Sequence, residues 1–183
     1  MKAKAVAAAR VDRTRAALAG ASILALGAAF WLFSPSASSE QRDAAPKIEF
    51  QDAQGRPTTV RAFTGKVVLL DFWASWCLPC QREMPLFDHL QDKLGSRGFV
   101  VVPVSIDARG LDAVSGFYAD QKISHLEKFT DPSRGAAKRL GFVGIPSALI
   151  LDRQGKIAAR IEGPINWESG RITALFDRLL SEK

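Results

Sequence analysis

The only two cysteines of this 183-residue chain, Cys77 and Cys80, stand three positions apart between two contrasting segments. Before them runs an apolar stretch, Val67-Val68-Leu69-Leu70-Asp71-Phe72; after them Met84, Phe87, Leu90 and Leu94 recur at helical spacing. Strand, Cys-x-x-Cys and helix in that order constrain both the fold and the chemistry. A helix that begins at the first cysteine aims its free N–H groups and positive dipole end at that sulfur. A thiolate is favoured there below the ordinary thiol value of ~8.5, which makes Cys77 a nucleophile near neutral pH. Cys80, one turn later on the same face, is placed to attack a mixed disulfide and release its partner.

Two other uses of the pair fit less well. A structural zinc site needs two further ligands, and His89 and His125 are the only histidines. On a continuous helix His89 lies roughly 13 Å beyond Cys80 at ~1.5 Å per residue, too far for a shared ion. A purely structural disulfide closing so short a loop constrains the unfolded chain very little. His89 and His125 read as surface or packing residues.

The formal charge of +6 does not mark a nucleic-acid binder. Residues 1–15 hold Lys2, Lys4, Arg10, Arg13 and Arg15 against Asp12, a net +4, which leaves +2 for the other 168 residues. Residues 16–33 carry no charge and, at ~1.5 Å each, span roughly 27 Å as a helix, close to a bilayer core. Basic residues precede this stretch, and Phe30, Trp31 and Phe33 end it. The reading is a single-pass membrane anchor with the C-terminal part outside the cytoplasm. The alternative is a signal sequence cleaved near Ser36-Ala37-Ser38, leaving a soluble protein outside the cytoplasm. Residues 34–45, rich in small and polar residues, read as a flexible linker, and the globular domain begins near Pro46.

Within 46–183 the pattern predicts short strands at Ile48–Phe50 and Thr58–Val60, then buried strands at Lys66–Trp73 and Phe99–Ile106. Helices are expected from Cys77 to Leu94, kinked at Pro85 and closed by Gly95, and over Leu111–Lys122. A short strand at Phe129-Thr130 leads to a helix over Pro132–Leu140 with Asp131 as its cap. Strands at Ser147–Leu151 and Lys156–Ile161 flank the turn Asp152–Gly155, and Asn166 caps a final helix. Pro103 is an awkward residue inside its strand. Asp71 is costly to bury charged, so its carboxyl should titrate high.

Asp71-Phe72-Trp73-Ala74-Ser75-Trp76-Cys77-Leu78-Pro79-Cys80, with Pro85 following, resembles the thioredoxin active-site segment. Gly144-Ile145-Pro146-Ser147 is similar to the thioredoxin cis-proline loop. Cys-x-x-Cys-x-x-Glu-x-Pro, the surplus at residues 123–141, and Trp167 after Gly163-Pro164 resemble the TlpA/ResA/CcmG branch of membrane-tethered thiol–disulfide oxidoreductases. The resemblance covers about residues 46–183. It implies an α/β, thioredoxin-like fold: a mixed β-sheet with helices on both faces, a β-α insertion and an N-terminal transmembrane helix.

It also implies site roles. Asp71 would handle the proton of Cys80, although TlpA-like proteins often carry a neutral residue there. Glu83 would sit near the thiols, tuning them or meeting a partner; a solvated helix face explains a lone glutamate equally well. Trp76 would shield the disulfide and offer a flat contact surface, and Pro79 would stiffen the turn. Pro146 would follow a cis peptide bond that exposes the Ile145 backbone to a client peptide. The redox group would be the cysteine pair itself, with no other cofactor and no metal. The implied partners are protein thiol and disulfide clients, of the apocytochrome c or copper-assembly kind, and a membrane electron donor of the DsbD/CcdA type. The protein would act as a monomeric reductase. A membrane-tethered copper- or zinc-binding module using the same thiols is the alternative from a different class.

Overall fold

The computed structural model describes residues 42–182. The basic tail expected at 1–15, the anchor or signal at 16–33 and most of the linker lie outside the described residues. Among the described residues no helix is long and apolar enough to cross a membrane.

Seven strands form one sheet in the order β2-β1-β5-β4-β3-β6-β7. They are β1 (Glu49–Gln51), β2 (Pro57–Thr59), β3 (Val67–Trp73), β4 (Phe99–Ser105), β5 (Phe129–Thr130), β6 (Ser147–Leu151) and β7 (Ile157–Glu162). The helices are α1 (Leu78–Leu94), α2 (Leu111–Gln121), α3 (Gly135–Arg139) and α4 (Gly170–Ser181). The sheet is mixed: β3, β4 and β5 run parallel, while β6 is antiparallel to β3 and β7 to β6 on one side, and β1 is antiparallel to β5 and β2 to β1 on the other.

Every residue of β3 and β4 is buried, and successive side chains point to opposite faces, so both faces are covered. Trp73 packs against Phe117 and Tyr118 of α2, and Phe72, on the other face, against Phe142 just beyond α3. The expected insertion consists of β5 and α3. It matters to the sheet because β5 joins the N-terminal hairpin to β4.

Pro103 is tolerated for a reason visible in the ladder. The Ile106 N–H bonds to the Trp73 carbonyl, so alternation turns residue 103 away from β3. On that side β5 reaches only Val104 and Ser105, and proline meets no strand that needs its missing N–H. Two positions earlier the outward Val101 N–H is satisfied by the Gln91 side chain of α1, at 2.8 Å.

Four boundaries differ from expectation. Residues 42–45 belong to the domain and are not linker: Ala44 bridges to Lys156, the Ala45 N–H donates to the Gly155 carbonyl, and the Ile157 N–H to the Asp43 carbonyl. Arg42, 14% exposed, clasps Asp152 at 3.0 Å and Glu182 at 2.7 Å. The left-handed residue that ends the α1 region is Gly98 (φ 85°), reached after a 3-10 turn at Gly95–Arg97, since Gly95 itself stays right-handed. The short helix α3 starts at Gly135; Asp131 accepts from the Ala136 N–H and the Ser133 hydroxyl from outside it. Asn166 binds the Glu168 N–H in a turn of its own, and α4 begins only after Ser169.

His125 is exposed, but its loop is held by Asp88 of α1. One oxygen of Asp88 accepts the backbone N–H groups of Ser124, His125 and Leu126, and the other meets the His125 ring at 3.0 Å. These donors hold the Asp88 carboxyl below the usual aspartate range even against partial burial. Asp88→Ala is expected to cost about 1–2 kcal/mol in a denaturant melt, since three N–H groups lose their acceptor together. Asp88→Asn, which keeps an acceptor oxygen, should recover most of the loss.

Candidate active site

The C-terminal ends of β3 and β4 and the start of β6 meet at one pole of the sheet, because Trp73 pairs with Ser105 and Phe72 with Ser147. Any residue just after β3 or just before β6 is delivered to that pole. The cysteines follow β3, and the Ile145–Pro146 bond, which is cis, directly precedes β6. Two motifs some 65 residues apart in the chain are thus neighbours through topology alone.

Cys77 is the N-cap of α1 and not its first helical residue. Its Sγ accepts the Cys80 backbone N–H at 3.3 Å, the capping role that an oxygen usually fills. The two sulfurs are joined in a disulfide. Both cysteines are buried, Cys77 at 6% exposed and Cys80 at 1%, so the first is the more accessible of the two. Around it stand large apolar side chains that the fold leaves in water: Trp76 at 58%, Leu78 at 67% and Val143 at 96% exposed. Trp76 therefore presents a surface beside the disulfide, and Pro79 lies at the first turn of α1, where its missing N–H costs nothing.

Asp107 was not anticipated from the sequence. Its buried carboxylate accepts the Ser75 N–H and hydroxyl, each at 2.8 Å, and the Ser105 hydroxyl at 2.7 Å. Gln81 of α1 in turn donates to the Ser75 carbonyl at 2.6 Å. The loop that carries Cys77 is thereby pinned to the end of β4 and to its own helix. An acid just past a buried strand was the one available signal.

Two carboxyls are buried close enough to influence each other. Asp71, in the middle of β3, is 1% exposed and its Oδ1 has no hydrogen-bond partner. Burial pushes its carboxyl well above the ordinary value, and the nearby Glu83 carboxyl pushes it further. Glu83 is 5% exposed, which excludes the solvated-face reading. Its Oε1 accepts the Trp167 indole N–H at 2.9 Å, while Oε2 is unpaired. Burial raises its titration and the Trp167 bond opposes that rise. Cys80 and Glu83 are i and i+3 on α1 and share a face, and Asp71 feels the charge on that face.

His89 is exposed and remote from any motif. Among the described residues no group of three or more His, Cys, Asp or Glu could hold a metal ion. The arrangement supports two-electron exchange between the paired sulfurs and an external thiol or disulfide, with the protein's own cysteines as the redox group.

Comparison with known proteins agrees with this chemistry. The redoxin family model matches residues 40–175. The Bacillus cereus thiol-disulfide oxidoreductase ResA is 28% identical over 131 residues, 72% of this chain and 75% of that protein. The Rhodobacter capsulatus thiol:disulfide interchange protein HelX is 29% identical over 147 residues, 80% of each chain. A crystal structure from Chlorobium tepidum, assigned as a thiol:disulfide interchange protein DsbE, superposes with a TM-score of 0.68 at 29% identity. It covers 79% of this chain and 100% of its own. With a thioredoxin-like fold, a cis-proline loop and a Cys-x-x-Cys pair at one pole, this chain belongs to the redoxin family and is a thiol–disulfide oxidoreductase.

Proposed function

We propose that the protein reduces disulfides in protein clients outside the cytoplasm, with Cys77 as the attacking and Cys80 as the resolving thiol. The observation that carries this is the asymmetry of the pair: Cys77 is the N-cap of α1 and, at 6% exposed, the more accessible of the two, whereas Cys80 lies inside the helix at 1%. The Cys77 thiolate attacks one client sulfur, forms a mixed disulfide and releases the other client sulfur as a thiolate. Cys80 then attacks Cys77 Sγ, freeing the second client thiol and leaving the Cys77–Cys80 disulfide. Asp71 takes the Cys80 proton in that second step, and Glu83, beside it, sets how readily it does so. Trp76, Pro79 and the Ile145–Pro146 segment receive the client chain.

A reductase of this kind needs a dithiol donor to restore the pair. The charge pattern of residues 1–33 and the resemblance to TlpA, ResA and CcmG support a membrane donor of the DsbD/CcdA type. They equally support clients in cytochrome c maturation or copper and cytochrome oxidase assembly, reached by a monomeric domain held at the outer face of the inner membrane. A phosphatase fused after Lys183 should be active only outside the cytoplasm; cytoplasmic activity would overturn the topology.

Leu78 and Pro79 put neither a cation nor a histidine between the cysteines, so nothing local favours the reduced pair unusually. A redox titration should place the couple nearer the ~−270 mV of thioredoxin than the ~−120 mV of DsbA. A value near the second would make the protein an oxidant.

A further inference from the structure

Beside the disulfide runs a groove of about 410 Å³ whose apolar part is formed by Trp76, Phe142, Val143 and Ile145. Its other wall is not apolar. Arg134 and Lys138, from the N-cap and body of α3, line it with exposed cations. Neither has a side-chain hydrogen bond or an ion pair among the described residues, whereas Arg42, Arg56, Arg97 and Arg160 all have a carboxylate partner.

Arg134 is also held in an unfavourable backbone conformation. Its φ is +59°, a region that side-chain-bearing residues rarely adopt. The surroundings enforce it: the Arg134 N–H donates to the Asp131 carbonyl at 2.9 Å, and the buried Asp131 carboxylate binds Ser133 and Ala136 on either side. Glycine would meet that geometry without strain. Arg160 lies over the Phe142 ring at 4.0 Å, donates to the Leu140 carbonyl and pairs with Glu162. The groove floor is thus apolar, and its open wall carries two unneutralised positive charges.

We propose that this wall selects clients: the groove takes a protein segment that carries an apolar residue and an Asp or Glu close to its reactive cysteine. The proposal rests on the client-exchange reading above and adds the chemical class of segment that the site prefers. The apolar side chain covers Trp76 and Val143, which would otherwise stay in water. The client carboxylate meets Arg134 and Lys138, whose attraction gives selectivity and association rate more than raw affinity and weakens as salt rises.

Two measurements on the full-length chain separate the docking claim from the exchange claim. The first titrates the oxidised protein with an acidic peptide, Glu-Leu-Ser-Glu in a neutral frame, and with its Gln-Leu-Ser-Gln counterpart, read by tryptophan fluorescence. Serine replaces cysteine, so no exchange is involved. The acidic peptide should bind about tenfold tighter at low salt, and Arg134→Gly/Lys138→Gln should abolish the difference. The double variant removes both charges while relaxing the backbone at 134, so a folding defect is not expected, and a denaturant melt checks it. Equal binding of the two peptides, or a preference unchanged in the variant, overturns the proposal. The second measurement follows reduction of the cysteine-containing versions, each supplied as its mixed disulfide with glutathione, with dithiothreitol restoring the Cys77–Cys80 dithiol and the uncatalysed rate subtracted. The preference should reappear in kcat/KM through KM, with kcat unchanged. If the acidic peptide binds selectively but no disulfide is reduced, the reductase reading fails and the acidic-segment groove stands.

Discussion

Cys77→Ala is expected to abolish client reduction and to trap nothing, while Cys80→Ala should accumulate mixed disulfides with clients through Cys77. The difference follows from one turn of helix. Cys77 Sγ sits where α1 leaves its first N–H groups unpaired and receives the Cys80 N–H, and its residue is the less deeply buried of the pair. Cys80 has the core around it and can be reached only by the neighbouring sulfur. In the reduced wild type, Cys77 should therefore be alkylated at least about tenfold faster than Cys80 at pH 7, through both thiolate fraction and access. Mass spectrometry of partly alkylated protein reads the ratio directly. Equal rates for the two thiols, or mixed disulfides in the Cys77→Ala variant, would reverse or remove the assigned roles.

Asp71→Asn should have the second largest effect, with opposite consequences for rate and for stability. In the folded protein burial and Glu83 raise the Asp71 carboxyl well above its ordinary 3.8. The folded state then binds that proton more tightly than the unfolded chain does. Stability contributed by this group accordingly falls as pH rises from the ordinary value through the folded one, and above both the cost is complete. Asparagine has no such titration. The variant should match wild type near pH 3.5 and become progressively more stable than it as pH rises through the folded-state titration of Asp71. Its resolution step should slow by about tenfold or more, because a positioned base is missing, with initial attack by Cys77 little changed. Stopped-flow client reduction beside melts across pH measures both. Unchanged resolution with a loss of stability would show Asp71 to be a structural hydrogen-bonding residue.

The parts of the site legible in the sequence are those that depend on short-range order. An apolar run long enough for one strand, two cysteines and a helical repeat specify β3, the loop and α1 without reference to the remaining chain. The cis-proline loop was legible only through resemblance, since nothing in Gly144–Ser147 itself requires a cis bond. What stayed hidden depends on long-range contacts. Glu83 looked as ready for water as for the core; its burial is decided by Trp167, 84 residues away. Asp107 and Asp88 each satisfy donors more than 30 residues distant, and no local pattern marks such a partner. Boundaries failed in the same way. Asn166 has the chemistry of a cap, but the turn it forms with Glu168 and Ser169 uses that chemistry before α4 begins. Arg42 reads as linker until Asp152 and Glu182 are seen around it.

The Arg42 clasp also fixes which end of the sheet the first described residues are tied to. Asp152 follows Leu151, which pairs with Val68 at the start of β3, whereas the cysteines follow Trp73 at its end. Seven residues of strand at ~3.3 Å each set the two roughly 23 Å apart. Arg42, where the described chain begins, and the working face are thus at opposite ends of the same strand, so a client can approach Trp76 and Val143 without meeting the ion pairs that tie Arg42 to the β6–β7 turn and the end of α4.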